Sequence, residues 1–111
     1  PTWAGWLAEA ILDFVRMPVG GIVHASCSGT VSWFDFASKI QELSRPWFKG
    51  QPLATLEKTT ARELNRPAQR PTFSAFDTTL ISSLLGRPPI PWQEGLALYL
   101  AEIGVIEPEG A

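Results

Sequence analysis

Gly21-Ile22-Val23-His24-Ala25-Ser26-Cys27-Ser28-Gly29-Thr30-Val31-Ser32-Trp33-Phe34-Asp35-Phe36-Ala37 is the stretch whose reading decides the fold class. It starts with β-branched residues and is too brief for a helix, so residues 22–27 read as a short strand. Ser28-Gly29-Thr30 turns the chain. Ser32 then caps a helix, with Asp35 three positions on in a capping-box-like arrangement. Trp33, Phe36, Ala37, Ile40 and Leu43 recur at intervals of three and four, which places them on one buried stripe. A strand feeding through a tight turn into an amphipathic helix implies an α/β domain.

The flanking sequence extends this pattern. Upstream, Thr2 is placed to cap a helix whose apolar face is Trp3, Leu7, Ala10, Ile11 and Phe14, stopped by Pro18 and Gly20-Gly21. Downstream, Pro46 and Gly50 close the second helix, and residues 53–56 predict a second strand. Residues 60–64 predict one turn of helix. Asp77 is a suitable cap for a third main helix with Leu80, Ile81, Leu84 and Leu85 inward and Gly86 at its left-handed end. Pro88, Pro89 and Pro91 stiffen the next connection. A fourth helix spans residues 92–103, with Leu96, Tyr99, Leu100 and Ile103 on one side and Gly104 after it. The expected fold is α/β, a small subdomain of about four helices with two or three short strands and no internal repeat.

At 111 residues one domain is expected, and a composition 45% apolar with five tryptophans and six phenylalanines supports a core. Only the ends lack core-forming residues, and residues 107–111 read as a loose tail. The lone Cys27 cannot form an internal disulfide and reads as a small buried thiol in a reducing, cytoplasmic setting. No stretch is apolar and long enough to span a bilayer. The first helix carries Glu9, Asp13 and Arg16, unlike a secretory signal.

The net charge of −2 is unevenly spread. Between positions 45 and 70, Arg45, Lys49, Lys58, Arg62, Arg66 and Arg70 stand against Glu57 and Glu63, while both flanks are acidic. Such a basic middle suits a small anionic ligand and is too lightly charged for a nucleic-acid groove. Its sharpest feature is Arg66-Pro67-Ala68-Gln69-Arg70-Pro71, where each arginine precedes a proline. Proline fixes its own φ and drives the preceding residue towards extended geometry, so both guanidinium groups sit on a stiffened loop. From there they suit bidentate capture of a phosphate or carboxylate. The competing reading is a solvated loop whose charges only keep it soluble.

Several chemistries lack their parts. Gly20, Gly21 and Gly29 do not have the spacing of a dinucleotide-binding cradle, and no Walker-type loop is present. One histidine and one cysteine make no metal cluster. The single tyrosine, Tyr99, is followed four residues later by Ile103, so the tyrosine–lysine pair of short-chain dehydrogenases is missing. His24, in an apolar run, reads as a structural histidine rather than a catalytic base.

The order of these motifs resembles the carboxy-terminal half of the dTDP-4-dehydrorhamnose reductase family, which belongs to the extended short-chain dehydrogenases. The resemblance rests on Pro1-Thr2 with Leu7-Ala8, Gly21-Ile22-Val23-His24, and Ser28-Gly29-Thr30-Val31-Ser32-Trp33-Phe34-Asp35-Phe36-Ala37. It continues through Pro67-Ala68-Gln69-Arg70-Pro71 with Ser74, Phe76 and Asp77, to Pro91-Trp92-Gln93-Glu94-Gly95-Leu96. It implies that residues 1–104 are a substrate-binding subdomain cut from a longer chain, with residues 105–111 as a tail. It also implies a missing amino-terminal Rossmann domain that holds NADPH or NADH and the catalytic residues, so no catalytic or cofactor-binding residue carries over. The substrate it implies is a nucleotide-sugar, with Arg70 as the leading diphosphate contact and Arg66 a weaker one. Trp33 matches the family's tryptophan, and packing competes with ligand contact for its role. Phe76 stands where the family usually has leucine, and the segment from Arg45 to Thr59 follows the family poorly. No nucleic acid, membrane or metal is implied, and the oligomeric state is open.

Two other readings share this architecture: a non-catalytic regulatory or interaction module, and part of a nucleotide-sugar epimerase or dehydratase. The start at Pro1, with no methionine and a helix cap at position 2, fits a piece of something longer.

Overall fold

A computed structural model describes residues 1–108, so part of the loose tail expected at residues 107–111 lies outside the described residues. The described chain is mostly helical, with α1 (Ala4–Val15), α2 (Trp33–Ser44), a 3₁₀ turn (Arg45–Phe48), α3 (Ala61–Leu64), α4 (Thr79–Leu85) and α5 (Trp92–Glu102). It is a slab 18 Å thick with a radius of gyration of 16.9 Å. A compact chain of this size has a radius near ~13 Å, and the difference reflects long connections spread over the faces.

Helix boundaries follow local chemistry. The Ser32 hydroxyl accepts the Asp35 N–H at 3.0 Å and starts α2. At α3 a full capping box forms: the Thr60 hydroxyl accepts the Glu63 N–H, and the Glu63 carboxylate accepts the Thr60 N–H. Gly86 ends α4 with φ +71°, a left-handed geometry that favours glycine.

Two expected caps act differently. Thr2 makes no cap; its hydroxyl accepts the Cys27 N–H at 3.3 Å and ties the entry of α1 to a segment 25 residues away. Asp77 lies two residues before α4 and accepts the Thr79 N–H at 2.8 Å, with Thr78 in the cap position. Both shifts have one cause: a short polar side chain serves whichever N–H group tertiary packing brings closest.

The strands at residues 22–27 and 53–56 do not form among the described residues. What remains is a single parallel bridge between Ser28 and Pro91, in which the Ser28 N–H donates to Ile90 O at 2.8 Å and Ser28 O accepts the Trp92 N–H at 3.0 Å. Strand structure requires a partner along its length, and beyond Ser28 the segment has none. Residues 22–27 still alternate: Val23 and Ala25 pack towards the core while Ile22 and His24 are exposed. His24 is therefore exposed, and its ring lies against Phe76 instead of in the core.

The core comprises Trp6, Ala10, Cys27, Ile81, Trp92, Leu96 and Leu100. On α1 the buried face is rotated from the expected one, with Trp6 buried and Ile11 exposed. Trp33, Leu80, Tyr99 and Ile103 also lie outside the core, because this thin slab has too few layers to cover every apolar stripe. Past α5, Val105 and Ile106 turn back onto Leu100.

Gly95 is the point of closest approach. A Cβ there would stand 3.2 Å from the Trp3 Cβ and 3.3 Å from the Cys27 Sγ. Replacing Gly95 with valine should wedge α5 away from Cys27 and Trp3 and cost about 1–3 kcal/mol. A lowered urea midpoint with the slope retained is the expected result; an unchanged midpoint would mean that these segments are not tightly packed.

Candidate functional site

Two features on this scaffold have the chemistry of a binding site. The first is the arginine loop. Asn65, with φ +46°, terminates α3 and releases the chain into residues 66–76, all exposed. Arg66 and Arg70 make no hydrogen bond and no ion pair among the described residues, in contrast to Arg87, which holds Asp13 at 2.8 Å, and Lys39, which holds Glu42 at 3.0 Å. The other cations of the basic middle are likewise without carboxylate partners among the described residues; Lys58 instead lies 5.1 Å from the centroid of the Phe34 ring. A guanidinium with no internal partner has nothing to break before meeting an anion.

The second feature is an aromatic cleft of about 370 Å³, open to solvent, between the start of α1 and the face of α5. Trp3, Phe36, Trp92 and Tyr99 supply its walls, with Gly95 and Leu96 beneath. Gly95 has a second role here, since any side chain on it would fill the cleft floor beside Trp3. At the rim, Glu102 accepts the Trp3 indole N–H at 3.0 Å, which fixes the ring. Aromatic faces suit a flat or ring-shaped group, whereas the Glu102 carboxylate opposes a phosphate.

Trp33 adjoins the cleft. It opens α2 and is 82% exposed, with its ring edge-on to Phe36 at 6.1 Å. Phe36 in turn meets Trp92 edge-on at 5.8 Å, so three rings run from the exposed indole to the cleft wall. This exposure separates Trp33 from the core stripe that its helical spacing suggested. No hydrogen bond, ion pair or ring contact among the described residues links Trp33 to Arg66 or Arg70. The cleft itself was not foreseen, because its walls come from both chain ends and α2. The one hint was a surplus of tryptophans at helix starts (Trp3, Trp33 and Trp92).

Gly20 and Gly21 run into the extended segment 22–27 and not into a helix N-terminus, so this glycine pair does not form a dinucleotide-binding turn. Among the described residues no group of histidine, cysteine or carboxylate side chains is placed to hold a metal ion, and no helix is long and apolar enough to cross a membrane.

Comparison with known proteins gives this arrangement a context. The family described as the RmlD substrate binding domain matches residues 1–105. The chain belongs to that family. Among relatives of this RmlD-type domain, the spore coat polysaccharide biosynthesis protein SpsK of Bacillus subtilis is 37% identical over 102 residues, covering 92% of this chain and 33% of the relative. The dTDP-4-dehydrorhamnose reductase of Escherichia coli K12 is 30% identical over 110 residues, covering 93% and 36%. A probable dTDP-4,6-dihydroxy-2-methyloxan-3-one 4-ketoreductase of Streptomyces antibioticus is 37% identical over 77 residues, covering 68% and 24%. The chain thus spans roughly a third or less of the length of these relatives. No solved structure matches it.

At the far end of the arginine loop, Asp77 is held below the usual carboxylate range by the Thr79 hydroxyl and then by the Thr79 N–H. Because the folded-state value is depressed, this contact is complete above the ordinary aspartate range and is lost as pH falls through the lowered value. The Thr79 amide resonance should therefore titrate with a midpoint below that of a free aspartate. A midpoint at or above the free value would remove the contact.

Proposed function

We propose that this RmlD-type domain is the carboxy-terminal substrate-binding part of a longer, cytoplasmic dTDP-4-dehydrorhamnose reductase. The reaction is reduction of the 4-keto group of dTDP-4-dehydro-L-rhamnose to give dTDP-L-rhamnose for polysaccharide synthesis. The family match across residues 1–105 carries this reading. The names of the Escherichia coli and Streptomyces relatives support keto reduction of a dTDP-linked sugar as the reaction class.

The hydride donor, NADPH or NADH, and the residues that hold it belong to a Rossmann domain outside these residues. Three features support a division of labour of that kind: the short span relative to the relatives, the extended segment 22–27 lacking a strand partner, and the bare apolar residues Val15 and Ile22. Within the domain, Arg70 grips the diphosphate by paired hydrogen bonds, with Arg66 four residues away adding charge. Trp33 covers a neutral ring beside the aromatic cleft. These groups bind and orient; none exchanges a proton or electron with the substrate.

Charge-assisted hydrogen bonds contribute about 1.5–3 kcal/mol each, so Arg70→Ala in the full-length protein should raise KM roughly ten- to a hundredfold with little change in kcat. An unchanged KM would take Arg70 out of the site. Calorimetry of the 111-residue chain with NADPH should show no tight binding, and submicromolar affinity would overturn the division of labour.

A further inference from the structure

His24 and Phe76 stack with ring centroids 4.7 Å apart and planes inclined by 30°, although 52 positions separate them in the chain. We propose that this stack is a clasp that holds the arginine loop against the body of the domain, making His24 a positioning residue for Arg70. The proposal rests on the reading that Arg70 grips the ligand's diphosphate.

The two sides of the clasp differ in rigidity. His24 stands on a fixed segment: three residues later Cys27 is buried, its N–H donates to Thr2, and Ser28 is hydrogen-bonded on both sides to Ile90 and Trp92. Val23 and Ala25 pack inward, so the alternation of an extended chain turns the imidazole between them outward. Phe76 stands on a loop with no such support. Among the described residues, no side chain from Arg66 to Ala75 makes a hydrogen bond, ion pair or ring contact with the rest of the molecule. The α3 turn before the loop is itself exposed throughout.

The loop's first tie to the body after α3 is therefore the Phe76 ring on His24, six residues beyond Arg70. Asp77 then secures the entry to α4. Holding Phe76 restricts the volume that Arg70 explores, and so lowers the ordering cost when an anion is gripped. The imidazole acts only as a flat face in this role.

The test uses the full-length protein with the dTDP-sugar as the probe. Aromatic pairs of this kind predict roughly a two- to tenfold rise in KM for His24→Ala with kcat retained, while His24→Phe, which keeps a flat ring, restores the original value. Added to Arg70→Ala, the alanine change should have no further effect, since the clasp acts through that arginine. Without ligand, His24→Ala should lower the NMR backbone order parameters of residues 70–76 and leave those of α5 unaffected. An equal rise in KM with or without Arg70, or unchanged order parameters in the loop, would overturn the clasp. If Arg70→Ala alone left KM unchanged, the phosphate grip would fall, and the order parameters would still decide whether His24 holds the loop.

Discussion

Backbone contact at one junction organises the rest of this domain. Ser28 bonds to the residues on either side of Pro91, Gly95 lets α5 approach Cys27 and Trp3, and Thr2 reaches across to the Cys27 N–H. Gly29 contributes a left-handed turn, φ +88°, where a Cβ would stand 3.0 Å from the Trp92 ring. Three segments remote in sequence are thereby fixed within a few ångströms of one another. The aromatic cleft is the solvent-facing side of the same junction, so the contacts that close the core also set the spacing of Trp3 and Trp92.

Charge is partitioned around this junction. The cleft has a carboxylate at its rim, and among the described residues all the Lys and Arg side chains without ion-pair partners except Arg16 lie on the connection between α2 and α4. The nucleotide-sugar proposed as ligand is likewise anionic at one end and ring-shaped at the other. Both features are shallow and solvent-exposed. Shallow contacts acquire strength when a second wall excludes water, because charge-assisted bonds strengthen as the local dielectric falls.

The length of the slab's connections explains why positioning matters. Between α2 and α4 the chain forms only a 3₁₀ turn and the four-residue α3. It is nonetheless fastened at separate points: the Gln41 amide donates to Ala54 O at 2.6 Å, Lys58 lies over Phe34, and Phe76 lies over His24. Side chains take the place of a sheet in this region. Each such tie is weak alone, and together they leave the arginines at the most loosely held part of the fold.

The sequence by itself determined what depends on residues within about one helical turn of each other. Ser32 and Gly86 sit where their chemistry requires, the helical turn at residues 60–64 formed, and Leu96 and Leu100 face inward as their spacing demands. Arg66 and Arg70 were legible as an exposed basic pair because proline acts on its immediate neighbour. Tertiary structure alone decided that segment 22–27 lacks a strand partner among the described residues, that Trp33 is exposed, and that Trp3 meets Glu102 from 99 positions away. Periodicity reports which face of a helix is apolar; which apolar face finds a partner depends on how many layers the chain can supply, and this one has too few.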